Sequence, residues 1–316
     1  MLIARSRGLA LHKGYDMKNS TFSRYATACA LALGLSSAWA QDPGPTLQKI
    51  KETGSVTLGY RESSVPFSFL DGQQKPVGFS LDLCAAIVDR IKQQLGLSSL
   101  AVKQVAVNSS NRIPLVVNGT VDIECGGTAN NLARQKQVSF SVATFASQPR
   151  WLVRADSGLK QPADLKGKTV VVTQGSNAVG FVRAANDKEK LGMNVIQAKD
   201  HGESMLTLSN GRAVAFLEDD ILLAGERANS RDPAAFVFLE GGYDPGYYGL
   251  MFKKDDAPFK ALVDGVLTGM MKDGSFEQAY RKWFESPIPP RNVNLSFPVP
   301  ERLRERIASP SDKVDF

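Results

Sequence analysis

The chain has 316 residues, of which 43% are hydrophobic and 22% charged, as expected for a globular protein with one large domain or two average ones. Its formal net charge is +6, but residues 1–40 contain five basic residues and one acidic residue, so the remainder carries only +2. A nucleic-acid-binding protein carries its basic excess in the folded part, and this distribution therefore excludes nucleic acid as an expected partner.

The N-terminus has the pattern of a secretory signal peptide. Lys18 and Arg24 precede an apolar run at residues 26–35, and Ala38 and Ala40 form an A-x-A cleavage site. The run is shorter than the about 20 residues that a membrane-spanning helix needs. We therefore predict cleavage after Ala40 and export of a soluble mature chain to the periplasm.

The first part of the mature chain alternates between helix and strand patterns. We predict a helix at 46–54, a strand at 56–59, a loop at 60–69, a helix at 81–95, a strand at 102–107, a helix at 113–118 and a strand at 121–124. Ser80 is the predicted N-cap of the second helix. After the last strand, Gly126 and Gly127 predict a sharp turn in which the backbone comes close to other groups. The short helix that follows carries Arg134.

The same alternation continues in the second part. We predict strands at 145–153, 169–173, 194–198, 213–217 and 236–240, helices at 203–208 and 221–227, and a helix that opens after 174–177. Residues 241–252 are rich in glycine and tyrosine and are the predicted return crossover. Two helices, 259–271 and 275–284, follow, and Ser275 with Gln278 forms a predicted capping box.

This order of elements predicts an α/β fold with mainly parallel sheets, divided into two lobes by two crossover strands. We predict lobe 1 at 41–145, lobe 2 at 146–250 and a return to lobe 1 at 251–316, after the signal peptide at 1–40. Ligand sites favour clefts between domains, so the ligand is expected between the lobes.

Polar residues collect at the predicted carboxyl ends of the strands, where open α/β sheets bind ligands. The candidates are Arg61, Ser109, Arg112 and Arg134 in one lobe and Asn177, His201 and Asp219 in the other. A guanidinium group offers a planar fork to a carboxylate, and free N–H groups at a helix start favour anions. An acidic amino acid, with net charge −1, would nearly balance the +2 of the three arginines and the one aspartate. The pattern therefore favours such a ligand.

Other interpretations remain open for single residues. Arg61 and Arg112 could be surface ions, and His201 could satisfy a loop carbonyl. Asp219 or Asp220 occupies a position where a helix N-cap is expected. The two cysteines of the mature chain, at positions 84 and 125, could form a disulfide after export or remain buried free thiols.

A set of longer motifs carries a family resemblance: YRESSVPFSF, NRIPLVVNGT, DIECGG, ARQKQVSFS, LKGKTVVVTQG, AKDHGES, GRAVAFLEDDILLAGERA and KWFESPIPP. Together they resemble the periplasmic glutamate/aspartate-binding proteins of ABC transporters, within the polar-amino-acid branch of solute-binding proteins, over residues 44–316. The resemblance implies a type II periplasmic-binding-protein fold whose lobes close on the ligand, with an inner-membrane ABC permease as partner. We also expect a monomer without a cofactor or metal.

The resemblance further implies residue roles. It assigns the side-chain carboxylate of the ligand to Arg61, Ser109, Arg112 and His201. It assigns the α-carboxylate to Arg134 and the α-ammonium to Asp219, with the aromatic loop near Phe67 packed on the aliphatic part.

The chain departs from the family pattern at the amino-acid end of the ligand. It has Gly127 and Ala129 where family members carry Ser and Thr hydroxyls, and Asn177 where they carry Thr. The backbone at Gly127 is the expected substitute. A related dicarboxylate or a modified acidic amino acid is therefore the alternative ligand, although Asp219 favours an ammonium group.

Two other functional classes compete with a transport protein. An enzyme similar to exported cyclohexadienyl dehydratases is disfavoured, because the sequence has no H-E-x-x-H, no G-x-S-x-G and no cluster of metal ligands. An arginine-rich cleft with one histidine also suits ligand clamping better than proton transfer. A sensor subunit that hands its ligand to a membrane receptor has the same sequence features as a transport protein. We therefore predict a binding protein and not an enzyme.

Overall fold

The structure is a computed structural model, and it describes residues 42–314. The helices in that range are α1 (Gly44–Thr53), α2 (Phe79–Gln94), α3 (Arg112–Val117), α4 (Leu132–Gln135), α5 (Ala178–Glu189), α6 (His201–Ser209), α7 (Asp220–Asn229), α8 (Ala257–Asp273), α9 (Ser275–Phe284) and α10 (Glu301–Ala308). Short 3-10 helices lie at Ala155–Ser157, Pro162–Leu165 and Pro233–Ala235. No helix within 42–314 is long and apolar enough to cross a membrane.

The strands follow in chain order. They are β1 (Ser55–Tyr60), β2 (Ser63–Ser64), β3 (Ser68–Leu70), β4 (Pro76–Val77), β5 (Ala101–Ala106), β6 (Ile123–Glu124), β7 (Ala129–Asn130), β8 (Val138–Phe140), β9 (Phe145–Ser147), β10 (Pro149–Arg154), β11 (Thr169–Thr173), β12 (Asn194–Ala198), β13 (Ala215–Asp219), β14 (Phe236–Phe238), β15 (Gly246–Tyr248), β16 (Met251–Lys253), β17 (Pro287–Ile288) and β18 (Val293–Asn294).

The first sheet has the strand order β5-β1-β6-β16-β8. Strand β1 runs parallel to β5 and β6, and β16 returns late in the chain to pair antiparallel with β6 and β8. Helix α2 contacts β1 of this sheet, and its Leu83, Ile87 and Ile91 recur at helical spacing and are fully buried. The carboxyl ends of β1 and β6 therefore open at one edge of a well-anchored sheet.

The second sheet has the order β12-β11-β13-β10-β14. Strand β11 is parallel to β12 and β13, whereas β10 is antiparallel to β13 and β14. Val170 and Val172 enter one apolar cluster and Val171 enters another, so β11 is buried on both faces. This burial explains the continuous run of valines in its sequence.

Two crossings of the chain join the sheets. Strands β9 and β15 pair antiparallel with each other, and β15 also pairs with β7. The prediction of one strand at 145–153 is wrong, because the chain breaks at Gln148 and places β9 in this connecting sheet and β10 in the second sheet. The two predicted crossovers are confirmed, and the exact lobe boundaries at 145 and 250 stay a prediction.

Two predicted helix caps are wrong. The N-cap of α2 is Gly78, and the Ser80 hydroxyl donates instead to the carbonyl of Gly126 at 3.1 Å. The N-cap of α9 is Gly274, and the Ser275 hydroxyl donates to the carboxylate two residues earlier at 2.6 Å. In both cases the serine hydroxyl donates to a nearby acceptor, and no side chain in the described range caps the helix.

Cys84 of α2 and Cys125, which follows β6, form a disulfide with their Cα atoms 6.3 Å apart. Of the two states left open by the sequence, the structure therefore has the bridged one. The bridge fastens α2 to the start of the turn at Gly126 and Gly127.

Candidate functional site

The glycine turn after β6 brings the backbone against buried side chains, as the sequence predicts. A Cβ atom added to Gly126 would lie 2.2 Å from Oε1 of Glu124. A Cβ atom added to Gly127 would lie 2.9 Å from the ring of Tyr248 and 3.1 Å from the ring of Phe67. These two rings therefore fill the space that a side chain at Gly127 would need.

Arg61, which follows β1, joins the two sheets at one end of the site. Its Nη2 donates to Oγ of Ser109 at 3.0 Å and lies 3.4 Å from Nε2 of His201, the first residue of α6. Burial and the nearby Arg112 lower the pKa of Arg61 to about 10, so the group stays charged at neutral pH. Its Nη1 is buried without a hydrogen-bond partner among residues 42–314, which leaves a donor for an anion.

Arg112, the first residue of α3, lies beside the buried carboxylate of Glu124. Its Nη1 donates to Oγ1 of Thr128 at 2.5 Å and to the carbonyl of Gly127 at 3.4 Å. The Thr128 hydroxyl donates in turn to Glu124 at 2.6 Å. The guanidinium and the carboxylate thus compensate each other's desolvation. Nε of Arg112 is a second buried donor without a partner in the described chain.

Arg134 in α4 reaches from the first sheet to the second. Asn131 caps this short helix by accepting from the backbone N–H of Arg134 at 2.9 Å. Nη1 donates to the carbonyl of Ala129 at 2.7 Å, and Nη2 donates to the carbonyl of Gly175, beyond β11, at 3.2 Å. The guanidinium is thereby held at the junction of the two lobes.

Asp219 ends β13 and is 3% exposed. Its Oδ2 accepts from the hydroxyl of Tyr248 at 2.5 Å and its Oδ1 accepts from the amide of Asn177 at 3.2 Å. Burial raises the pKa of Asp219 despite these two bonds. Asp219 occupies the N-cap position of α7 but makes no side-chain cap, so its carboxylate faces the site.

Two buried glutamates of the site were not predicted from the sequence. Glu124 is fully buried beside Arg112, and Oε2 of Glu218 lies 3.5 Å from Nδ1 of His201. Burial and the adjacent Asp219 raise the pKa of Glu218. The available signal was a glutamate directly after a strongly apolar strand residue, as in Ile-Glu of β6 and Leu-Glu of β13.

Glycines allow the two lobes to touch around this cluster. Gly175 has φ +76°, and an added Cβ would lie 2.7 Å from the backbone of Ser109. A Cβ added to Gly225 in α7 would lie 2.4 Å from the carbonyl oxygen of Val65. The cleft is therefore closed at both of these contacts.

The structure brings all the predicted site residues into one cluster. They are Arg61, Ser109, Arg112, Gly127, Arg134, Asn177, His201 and Asp219. The alternative that Arg61 and Arg112 are surface ions is wrong, because they are 1% and 3% exposed. His201 contacts Thr173 and Arg61 rather than a loop carbonyl.

Cavities lie at both ends of the cluster. One of about 580 Å³ is lined by Arg134, Asn177 and Phe181 among others. Another of about 170 Å³ is lined by Arg61 and Asp200 among others.

Known proteins with similar sequences are solute-binding proteins. Residues 56–286 match the sequence profile of the bacterial extracellular solute-binding proteins, family 3. The L-glutamate/L-aspartate-binding protein of Pseudomonas aeruginosa is 47% identical over 295 residues, which cover 92% of this chain and 97% of that protein. The glutamate/aspartate import solute-binding protein of Salmonella typhimurium is 44% identical over 297 residues, which cover 92% of this chain and 98% of that protein.

A solved structure gives the same result for the fold. An ancestral arginine-binding protein bound to arginine aligns with a TM-score of 0.64 and 27% identity, over 73% of this chain and 98% of that chain. The type II periplasmic-binding-protein fold expected from the sequence is confirmed by this likeness and by the paired α/β sheets. The chain belongs to family 3 of the bacterial extracellular solute-binding proteins.

Proposed function

We propose that this chain is an exported solute-binding protein that captures glutamate or aspartate in its cleft and delivers it to an inner-membrane ABC permease. The names of the relatives from Pseudomonas aeruginosa and Salmonella typhimurium support this ligand class. The observation that carries the proposal is the burial of three arginines, Arg61, Arg112 and Arg134, around one cleft with Asp219 beside them. Such a set matches a ligand with two carboxylates and one ammonium group.

The side-chain carboxylate of the ligand belongs at the end of the site near Arg61 and Arg112. These residues present the buried donors Nη1 and Nε, which have no partner among the described residues. Charge-assisted hydrogen bonds from guanidinium groups are roughly twice as strong as neutral ones. A neutral amide, as in glutamine, presents an NH2 donor in place of one carboxylate oxygen and cannot accept from both of these buried donors, so the site disfavours it.

The amino-acid end belongs between Arg134 and Asp219, with Arg134 on the α-carboxylate and Asp219 on the α-ammonium. Asn177 and Tyr248 both donate to Asp219 and fix its two oxygens. Tyr248 also fills the space beside Gly127. The Tyr248 hydroxyl therefore orders the carboxylate that we assign to the α-ammonium group.

The test is a calorimetric titration of ligand-stripped mature protein with glutamate, aspartate, glutamine, glutarate and 2-oxoglutarate. We expect Kd values in the micromolar range or below for glutamate or aspartate, equivalent to at least about 8 kcal/mol. Equal affinity for the dicarboxylates that lack an amine would favour the alternative ligand class. Failure of all five to bind would refute the proposal.

A pair of variants ties any binding to the cluster. Arg61→Gln should lose most of the affinity for glutamate, because it removes a buried positive charge from the carboxylate end. Arg154→Gln is the matched control, since this arginine is 42% exposed and pairs with Asp156, which is 71% exposed. We expect Arg154→Gln to bind glutamate as the parent protein does.

A further inference from the structure

His201 stands in a chain of hydrogen bonds whose direction the geometry fixes. The Ser204 hydroxyl donates to the carbonyl of Asp200 at 2.9 Å, which uses its single proton. The 2.9 Å contact between Thr173 and Ser204 therefore has Thr173 as donor. The 2.9 Å contact between Thr173 and Nδ1 of His201 then requires Nδ1 to carry a proton.

A proton on Nδ1 leaves Nε2 of a neutral His201 as an acceptor only. This suits the 3.4 Å contact with Nη2 of Arg61, which is a donor. A ligand carboxylate has only lone pairs to offer, so His201 can hold one only as an imidazolium. Glu218 is placed to balance that charge, because its Oε2 lies 3.5 Å from Nδ1 and both side chains are 2% exposed.

The charges of the whole cluster also require a proton. Three buried guanidinium groups, those of Arg61, Arg112 and Arg134, face three buried carboxylates. The carboxylates are those of Glu124, Glu218 and Asp219. With all six groups ionised, as in the open state, the cluster is neutral before a ligand enters. Glu226, whose pKa burial raises to about 8, lies beyond Arg61 and is not counted. A ligand of net charge −1 leaves one uncompensated negative charge in a buried site, which is strongly unfavourable. One proton restores neutrality.

We propose that closure on an acidic amino acid is coupled to the uptake of one proton by the His201–Glu218 pair, with Glu218 as the positioning residue that stabilises protonated His201. This inference rests on the proposed function. The proton comes from solvent and forms an N–H bond at Nε2, which donates to the ligand carboxylate. When the cleft is open and water reaches the pair, the histidine has a pKa of about 6.5 and the glutamate a pKa of about 4.3. Above about pH 6.5 the pair therefore has a charge of −1 in the open cleft. In the closed cleft the added proton brings the charge of the pair to zero.

Charged and polar groups surround the pair on every side. They are Arg61 after β1, Arg112 of α3, Thr173 of β11, Ser176 before α5, Asp200 and Ser204 at α6, Asp219 of β13 and, beyond Arg61, Glu226 of α7. Burial and the two arginines lower the pKa of His201, and burial and Asp219 raise the pKa of Glu218. Without ligand, the proton of the closed pair thus resides on Glu218. A ligand carboxylate offsets the arginines and moves the proton to His201.

The test is calorimetric titration of the mature protein with glutamate in buffers that share a pH but differ in ionisation enthalpy. The dependence of the measured heat on the buffer gives the number of protons taken up. We expect nearly one proton per glutamate at about pH 8 and nearly none at about pH 5.5, where an exposed histidine is already protonated. The Kd should rise roughly 15-fold between about pH 6.5 and about pH 8, because only the free protein loses the proton.

Two matched variants identify the group that takes up the proton. Glu218→Gln removes the carboxylate that stabilises protonated His201, so glutamate should bind with a higher Kd, with much less proton uptake and with a weaker dependence of the Kd on pH. Glu226→Gln is the control, because Glu226 is another buried glutamate near Arg61 that could take up a proton. It is 8% exposed, and burial raises its pKa to about 8. We expect Glu226→Gln to keep the proton uptake of the parent protein.

The outcomes separate the two proposals. Tight glutamate binding without proton uptake from about pH 5.5 to about pH 8 would overturn this inference and leave the proposed function standing. Loss of the uptake in Glu226→Gln, with uptake kept in Glu218→Gln, would also overturn it. Absence of glutamate binding in every buffer would instead refute the proposed function.

Discussion

The hydroxyl of Tyr248 donates to Oδ2 of Asp219 at 2.5 Å, and this bond ties a crossover strand to the site. Tyr248 ends β15 in the connecting sheet, and Asp219 ends β13 in the second sheet. Burial raises the pKa of Asp219, and the bonds from Tyr248 and Asn177 act in the opposite direction. Tyr248 therefore helps to keep the carboxylate ionised for an ammonium group.

Tyr248→Phe should weaken glutamate binding roughly tenfold or more, since a hydrogen bond to a charged group contributes about 1.5–3 kcal/mol. The fold should persist, because the ring keeps its contacts with Phe67 and Phe145. The measurement is calorimetric titration at neutral pH. Tyr280→Phe is the control, as its hydroxyl donates to the carbonyl of Pro298 at 3.3 Å instead of to the site. Equal affinities in the two variants would show that the Tyr248 hydroxyl has no role in binding.

Gly175→Ala should impair closure of the cleft. Its added Cβ would lie 2.7 Å from the backbone of Ser109, across the contact between lobes. We expect the Kd for glutamate to rise at least tenfold while the melting temperature falls by only a few degrees, as about 1 kcal/mol of backbone strain implies. Gly158→Ala is the matched control, because Gly158 has φ +72° and no neighbour within 4 Å of the added Cβ. If both variants bind glutamate equally well, the Gly175 contact does not control closure.

Arg112→Lys should reduce the preference for glutamate over glutamine. The lysine keeps a positive charge near Glu124, which protects the fold, but it lacks the planar fork that binds a carboxylate with two hydrogen bonds. Affinities for both ligands, measured by calorimetry, give the preference directly. Equal losses for glutamate and glutamine would contradict the assignment of Arg112 to the side-chain carboxylate.

The sequence predicted those elements correctly whose own residues show a local pattern. The helical spacing of Leu83, Ile87 and Ile91 is a local signal and gave α2 its correct place. The break at Gln148 gave no such signal, because residues on both sides of it are suited to strands. Only pairing with β15 on one side and β13 on the other assigns β9 and β10 to different sheets.

The predicted site residues share one rule, that polar side chains at the carboxyl ends of strands converge. Glu124 and Glu218 also end or nearly end strands, but no local pattern shows that their partners are Arg112 and His201. These pairs form between elements that are distant in sequence. The charge balance on which the proposed proton uptake rests therefore has no local signal in the sequence.

Loss of the Cys84–Cys125 disulfide should lower the free energy of unfolding. The bridge joins residues 41 positions apart, and the entropy of closing such a loop in the unfolded chain corresponds to about 4 kcal/mol. Both cysteines are fully buried, so the double variant Cys84→Ala/Cys125→Ala leaves only a small cavity.

Thermal unfolding of the mature protein, with and without a thiol reductant, measures this contribution. We expect the melting temperature of the parent protein to fall by roughly 10 °C on reduction, since about 1 kcal/mol corresponds to about 2–4 °C for a chain of this size. The double variant should melt near the reduced parent and should not respond to reductant. Glutamate should still bind to it, because the turn at Gly126 remains packed against Glu124. The reductant concentration must be high enough to free both thiols of the unfolded chain. If the melting temperature of the parent protein is then unchanged by the reductant, the bridge has no stabilising role.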